Sequence, residues 1–124
     1  MNTQSIPQLN QYQVAALRTA PVASLEHDLL HAAMGLVTES AELMDALKKR
    51  HAYGRPLDYT NLREEGGDLL WYIALLCRAL DCTMEQVATM NIQKLAKRYP
   101  DKFTEHAALN RDLDAERKVL ESAP

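Results

Sequence analysis

The stretch LREEGGDLLWY, residues 62–72, places Glu65 and Asp68 one helical turn apart beside large apolar residues. A spacing of three puts both carboxylates on the same face of a helix. Exposed helical carboxylates often pair with a basic residue three or four positions away, but no basic residue stands at those distances from Glu65 or Asp68. We therefore expect a cation from outside this helix to compensate them.

Composition and charge limit the class of protein. The 124 residues are enough for one domain with one core, and a chain that is 47% hydrophobic and 25% charged is typical of a globular protein rather than a disordered one. The formal net charge of −3 argues against a nucleic-acid polymer as partner, because phosphate contacts need a basic field.

The cysteines and the amino-terminal residues indicate the cellular compartment in which the protein is expected. Cys77 and Cys82 are too few for a disulfide framework and suit a reducing cytoplasm. Residues 1–13 have no basic start and no apolar run, and no stretch approaches the length of a membrane span. We expect a cytoplasmic protein with no membrane partner.

The periodic segments are rich in Ala, Leu, Met, Glu and Lys, which predicts an all-α fold. A single domain is expected over residues 1–124, with its core at about 24–105. Five helices are predicted. The first three lie at about 8–19, 24–51 and 59–80. The fourth begins at Thr83 and ends before Pro100, and the fifth, at about 109–121, is predicted to be solvated.

Local signals mark the ends of the two long helices. Ser24 is the predicted N-cap of the first, and Gly54 lies just past its end. Asp58 or Thr60 is the predicted cap of the second. Gly35 weakens the first long helix unless a neighbour packs closely against it. The apolar side of that helix is predicted at Leu29, Leu30, Ala33, Met34, Leu36, Val37, Leu43, Met44 and Leu47.

A second carboxylate pair, Glu39 and Glu42, lies on the first long helix, also without a basic residue three or four positions away. Each pair on its own suits a solvated acidic face. If the two long helices pack antiparallel, however, the four carboxylates face each other and form an all-oxygen site for a hard divalent cation, of which Mg²⁺ is the natural candidate.

Two other metal sites were considered from the residues. A di-iron carboxylate bundle couples Glu with a His three positions on, and those positions hold Glu42 and Asp68 instead. His27 and His31 stand four residues apart and could bind zinc as a pair, but the sequence implies no third ligand.

A basic segment supplies the complement to such a metal site. Lys94 and Arg98 are four residues apart, with Lys97 and Lys102 close by. They suit the carboxyl end of a helix, and they also suit the phosphates of a substrate. An open magnesium site beside them favours phosphate.

Three motifs in order, ESAE at 39–42, EGGD at 65–68 and KLAKRYPDKF at 94–103, resemble the MazG-type branch of the all-α nucleoside triphosphate pyrophosphohydrolases. Each short motif is weak alone, whereas the ordered set with this spacing is specific. The resemblance covers roughly 24–105, and the opening LNQYQVAALRTA is similar to the start of small phage-type and bacterial single-domain members.

The resemblance implies a helical bundle with two long antiparallel helices, completed by assembly into a homodimer or homotetramer. It implies hydrolysis of a (deoxy)nucleoside triphosphate to the monophosphate and pyrophosphate, with Mg²⁺ as cofactor and Mn²⁺ as a possible substitute. The family's metal-binding and catalytic carboxylates fall on Glu39, Glu42, Glu65 and Asp68.

The resemblance also assigns the substrate-binding positions. Lys94 and Arg98 match the family's phosphate-binding residues, and Lys97 and Asn91 stand close enough on the same helix to assist. Tyr99 replaces a His seen in many longer members. The resemblance covers one such domain, so we expect no tandem second domain of the kind found in those members.

The nucleoside pocket is predicted less sharply. Trp71 and Tyr72 follow Asp68 and either stack on a base or fill the core, while His31 and Met34 are candidates for the opposite wall, with Tyr99 as a further candidate. Uracil, cytosine, a damaged purine and broad specificity all stay open. The alternative to an enzyme is a non-enzymatic dimeric helical module that binds a metal or acts as an adaptor.

Overall fold

The computed structural model describes residues 8–122, and within that range the chain is helical with no strand, as the sequence predicts. The six helices are α1 (Leu9–Leu17), α2 (Leu25–Tyr53), α3 (Tyr59–Ala79), α4 (Met84–Arg98), α5 (Glu105–Leu109) and α6 (Leu113–Ser122). None of these helices combines the length and the hydropathy that a membrane span requires. The chain divides into two compact units between Met84 and Glu85.

In the first unit, α2 and α3 pack antiparallel. Asp28, near the start of α2, forms an ion pair of 2.8 Å with Arg78, near the end of α3. Farther along the pair, the ring of Tyr72 lies against Gly35. The antiparallel arrangement expected from the sequence is confirmed.

The contact between α2 and α3 depends on small residues of α2. Ala32 and Gly35 are buried, and a Cβ atom at position 35 would overlap the ring of Tyr72. A glycine inside a helix costs about 1 kcal/mol relative to alanine. The close approach of Tyr72 explains why this position has no side chain.

The predicted caps of the long helices are present. The hydroxyl of Ser24 accepts a hydrogen bond from the backbone N–H of His27, and Gly54 ends α2 in the left-handed conformation, with φ 63°. Of the two candidate caps of α3, the structure selects Asp58, whose carboxylate accepts from the N–H groups of Thr60 and Asn61.

The short helix α1 is held against the carboxyl-terminal half of α3 by side-chain hydrogen bonds. The indole N–H of Trp71 donates to the carbonyl of Ala16 at 3.2 Å and to the hydroxyl of Thr19 at 2.9 Å. The Gln13 amide donates to the carbonyl of Cys82 and accepts from the N–H of Met84. The small core of the unit forms here, around Ala74, Cys77 and Met84.

Most of the predicted apolar side of α2 is exposed in the single chain. Val37 keeps 69% of its surface exposed, and Leu30, Met34 and Met44 are also exposed. The residues that α2 buries are Asp28, Ala32 and Gly35. The large apolar side chains therefore form an outward surface rather than a core.

In the second unit, the helix predicted at about 109–121 is present as α6, but it begins at Leu113, and the short helix α5 before it was not predicted. The hydroxyl of Thr104 caps α5 by accepting from the N–H of Ala107, and the carboxylate of Asp112 accepts from the N–H of Ala115 at the start of α6. The last helix is also less solvated than predicted, since it buries Glu116.

Candidate metal centre and its surroundings

Three carboxylates from the two long helices converge in the first unit. One oxygen each of Glu39 on α2 and of Glu65 and Asp68 on α3 all lie within 4.8 Å of one another. We call these three residues the carboxylate cluster. Their spacing along each helix predicted one shared face, and the antiparallel packing brings the two faces together.

The carboxylate cluster has no cationic side chain bound to it among residues 8–122. The pKa of Glu39 is raised by burial, by its hydrogen bond with Glu65 and by the negative charges of Asp68, Glu65 and Glu42. The amide of Asn61 donates to Oε1 of Glu65 at 3.0 Å, which is a neutral partner. Converging carboxylate oxygens with uncompensated charge fit a hard divalent cation.

Glu42, the fourth predicted ligand, lies outside the group of three. Its side chain is exposed and lines a groove of about 230 Å³ that it shares with Glu65. Its charge still helps to raise the pKa of Glu39. The structure therefore brings three of the four predicted ligands together and places the fourth beside them.

Three of the predicted nucleoside-pocket residues contact each other, and we call them the aromatic patch. The ring of His31 lies edge-on to Trp71 and Tyr72, with ring centroids 6.2 Å and 5.6 Å apart, and the two α3 rings lie 5.0 Å apart. Met34 is exposed on the same helix as His31. Trp71 also anchors α1 through its indole N–H, so it has a structural role.

The His27 and His31 rings are 5.7 Å apart. The carboxylate cluster is the one group of three or more possible metal ligands within residues 8–122, so this part of the chain supplies the histidine pair with no third ligand.

Tyr12 of α1 is a neighbour of the carboxylate cluster that sequence reasoning missed. Its hydroxyl donates to the carbonyl of Gly67 at 3.5 Å, and its pKa is raised by burial and by the negative charge of Asp68. No local pattern could have found it, because the packing of α1 on α3 creates the contact.

In the second unit, Arg98 is held by Glu116. Its Nε and Nη2 atoms donate to the two oxygens of Glu116 at 2.8 Å and 3.0 Å, and Arg111 donates to the same two oxygens at 3.3 Å and 2.6 Å. The two guanidinium groups lower the pKa of Glu116 to about 2, and Glu116 in turn raises the pKa of Arg98.

The other predicted phosphate-binding residues are also on α4. Asn91, Lys94 and Arg98 share a face of the helix by their spacing, and Lys97 is exposed beside them. Tyr99, just past the end of α4, packs against Phe103 with ring centroids 5.6 Å apart.

Fold and site together define an all-α protein in which two antiparallel helices present a cluster of carboxylates suited to a cation. The chain belongs to the MazG nucleotide pyrophosphohydrolase domain family, whose model matches residues 28–103. It is also similar to the Gene 37 protein of Mycobacterium phage L5, with 35% identity over 97 residues that cover 70% of this chain and 84% of that protein. No solved structure matches the chain. The family implies a nucleotide as substrate and pyrophosphohydrolase chemistry in general, and it confirms the resemblance drawn from the motifs.

Proposed function

We propose that this chain hydrolyses a nucleoside triphosphate to the monophosphate and pyrophosphate, with Mg²⁺ as its cofactor. The observation that carries the proposal is the carboxylate cluster, in which three oxygens from facing helices converge with no cationic side chain bound to them among residues 8–122. Glu39, Glu65 and Asp68 would hold the ion, and Glu42 stands close enough to assist. Mn²⁺ suits the same oxygen ligands.

The bound ion would supply neutralisation of phosphate oxygens and a bound water of lowered pKa. The protein's own side chains have separate tasks. Asn61 fixes one oxygen of Glu65 by its hydrogen bond, and one carboxylate of the site accepts the proton of the attacking water.

Lys94 and Arg98 are the proposed phosphate-binding residues, with Asn91 and Lys97 beside them. Arg98 uses two of its five N–H groups on Glu116 and also interacts with Tyr99, and its remaining donors are available to a phosphate. The hydrogen bonds to Glu116 also fix the plane of the guanidinium group, and a fixed donor suits recognition of phosphate oxygens.

The aromatic patch is the proposed nucleoside site. His31 and Tyr72 offer both a ring face and a polar atom, and the patch lies beside Gly35, one turn along α2 from Glu39. Uracil, cytosine and damaged purines are the bases to compare.

The test is a pyrophosphate-release assay across the common and damaged dNTPs and NTPs, with Mg²⁺, with Mn²⁺ and with chelator. We expect metal-dependent release with the monophosphate as the other product. Asp68→Asn should abolish release, whereas Glu64→Gln, an exposed glutamate just before Glu65, is the matched control and should keep it. Release from no nucleotide, or full activity in Asp68→Asn, would refute the proposal and leave a metal-binding or adaptor module as the better account.

We also propose that two copies of the chain pair through the exposed apolar surface of α2. Leu30, Met34, Val37 and Met44 repeat at intervals of three, four and seven residues, as in helices that pack on a partner helix. Val37→Asp should shift the mass measured by light scattering to that of the monomer. Val14→Asp, on the exposed side of α1, is the control, and a wild-type protein that is monomeric would contradict the proposal.

A further inference from the structure

The groove beside the carboxylate cluster has a mixed charge. It is formed by the carboxyl-terminal half of α2, the loop at 54–58 and the first two turns of α3. Glu42 and Glu65 line it on the side of the cluster, and its other charged lining residues are the acidic Asp45 and Asp58 and the basic Lys49 and Arg55. With a volume of about 230 Å³, the groove has room for about seven waters at roughly 30 Å³ each, which is space for a chain of two phosphate groups.

The order of features along the two antiparallel helices gives the groove a direction. On α2, residues 31, 35, 39, 42 and 49 follow each other at intervals that keep one face, and on α3 the matching order is 72, 68, 65 and 61. The aromatic patch therefore lies at one end, the carboxylate cluster in the middle, and the groove at the other end.

A nucleoside triphosphate has the same order of parts, with the base at one end and the terminal phosphates at the other. We propose that Lys49 and Arg55 bind the two terminal phosphates, the part released as pyrophosphate, and so fix the direction in which the substrate lies along α2 and α3. This inference rests on the proposed function and assigns to these two side chains a task that the motifs do not give them.

Both cations can take up phosphate, Arg55 directly and Lys49 by exchange of its partner Asp45. The guanidinium group of Arg55 has no hydrogen bond or ion pair with any residue between 8 and 122. Lys49 binds Asp45 at 2.6 Å, but both side chains are well exposed, and such surface pairs contribute little to stability. Exchange of Asp45 for a phosphate therefore costs Lys49 little.

The position at the carboxyl end of α2 offers a simpler explanation, since basic residues there suit the helix dipole. Lys48 and Arg50 provide the control for that explanation, because they share the same helix end, Lys48 also pairs with Asp45 at 3.3 Å, and neither lines the groove. The double variant Lys49→Ala/Arg55→Ala is therefore matched in charge by Lys48→Ala/Arg50→Ala.

The experiment measures the binding of inorganic pyrophosphate, and separately of nucleoside monophosphates, to the full chain by calorimetry in the presence of Mg²⁺. Loss of two charged contacts should weaken pyrophosphate binding about tenfold or more in the Lys49/Arg55 variant. Monophosphate binding should stay unchanged in that variant, and both affinities should stay unchanged in the Lys48/Arg50 variant. Circular dichroism checks that the exposed substitutions leave the helices intact.

The inference is overturned if the wild type binds no pyrophosphate, if the two double variants lose the same affinity, or if the Lys49/Arg55 variant loses monophosphate instead of pyrophosphate. Failure of the proposed function gives a different result. A wild type that binds pyrophosphate through Lys49 and Arg55 but hydrolyses no triphosphate would support the pyrophosphate site in the groove and refute the proposed hydrolysis. Normal KM and normal pyrophosphate affinity in the Lys49/Arg55 variant would leave the proposed hydrolysis intact and refute the pyrophosphate site in the groove.

Discussion

Two buried glutamates, one in each unit, have opposite surroundings. Glu65 on α3 is 8% exposed, receives a hydrogen bond from the neutral amide of Asn61 and lies beside two further carboxylates. Glu116 on α6 is 3% exposed, and two guanidinium groups bind both of its oxygens.

The difference separates a carboxylate that stabilises the fold from one available to a ligand. A buried charge must be compensated, and the second unit compensates Glu116 with its own Arg98 and Arg111. Residues 8–84 of the first unit give Glu65 no such partner, and the pKa of its neighbour Glu39 is raised whereas that of Glu116 is lowered to about 2. The carboxylate cluster therefore has an electrostatic reason to bind a cation, whereas the paired carboxylate of Glu116 does not.

The largest expected effect is on activity. Glu65→Gln removes a charge from the carboxylate cluster. Because a bound cation lowers the activation barrier by several kcal/mol, turnover should fall about a thousandfold or more. The same variant should melt at or above the wild-type temperature without metal, because repulsion from Glu39 and Asp68 is relieved. Steady-state kinetics and thermal melts measure the two effects, and a marked loss of metal-free stability would show that Glu65 is structural.

The second effect is on stability in the second unit. Glu116→Gln leaves Arg98 and Arg111 without their shared carboxylate, so the urea midpoint should fall. Glu121→Gln is the control, because Glu121 pairs with Arg117 on an exposed surface and should matter little. Equal urea midpoints for the two variants would show that the burial of Glu116 contributes nothing.

Much of the first unit could be predicted from the sequence because its signals are local. Ser24, Gly54 and Asp58 each mark a helix end by a residue type that suits the cap. The carboxylates Glu39 and Glu65 were found because helical spacing and missing basic neighbours are visible along the chain.

The second unit was predicted less well because its contacts are not local. Arg111 stands five residues before Glu116, and Arg98 stands eighteen residues before Glu116. Neither interval is one at which a single helix brings side chains together. The break between α5 and α6 did have a local signal, since Thr104 and Asp112 are both suitable N-caps. The charged residues at 109–121 repeat without a gap at Asp112, so the sequence predicted a helix that starts too early.

For α2, the sequence predicted which apolar residues share a face, but not which side of the helix meets α3. Periodicity shows which residues share a face but not what covers that face. The small residues Ala32 and Gly35 decide which side meets α3, and Val37 is left outward.

A third effect is the response of each unit to metal. An ion that binds only the folded chain, at a free concentration about a hundred times its Kd, adds about 2.7 kcal/mol to the free energy of unfolding. That corresponds to a rise of roughly 10 °C in the melting temperature. We expect that rise with Mg²⁺ for the wild type and for Glu116→Gln, but not for Glu65→Gln. Differential scanning calorimetry with and without chelator measures it. A metal-dependent rise that survives in Glu65→Gln would place the ion elsewhere.

The smallest effect is on the pH dependence of stability, where the two regions should differ in sign. The pKa of Glu116 lies at about 2 in the folded chain against an ordinary value of 4.5, so its contribution is complete above about 4.5 and is lost as the pH falls toward 2. The stability difference between wild type and Glu116→Gln should therefore shrink over that range. Glu39 has a raised pKa, so without metal its ionisation lowers stability as the pH rises past its ordinary value of 4.5, and Glu39→Gln should remove that loss. Urea titrations at a series of pH values, with chelator present, measure both differences, and two differences of the same sign would contradict the contrast between the paired carboxylate and the unpaired one.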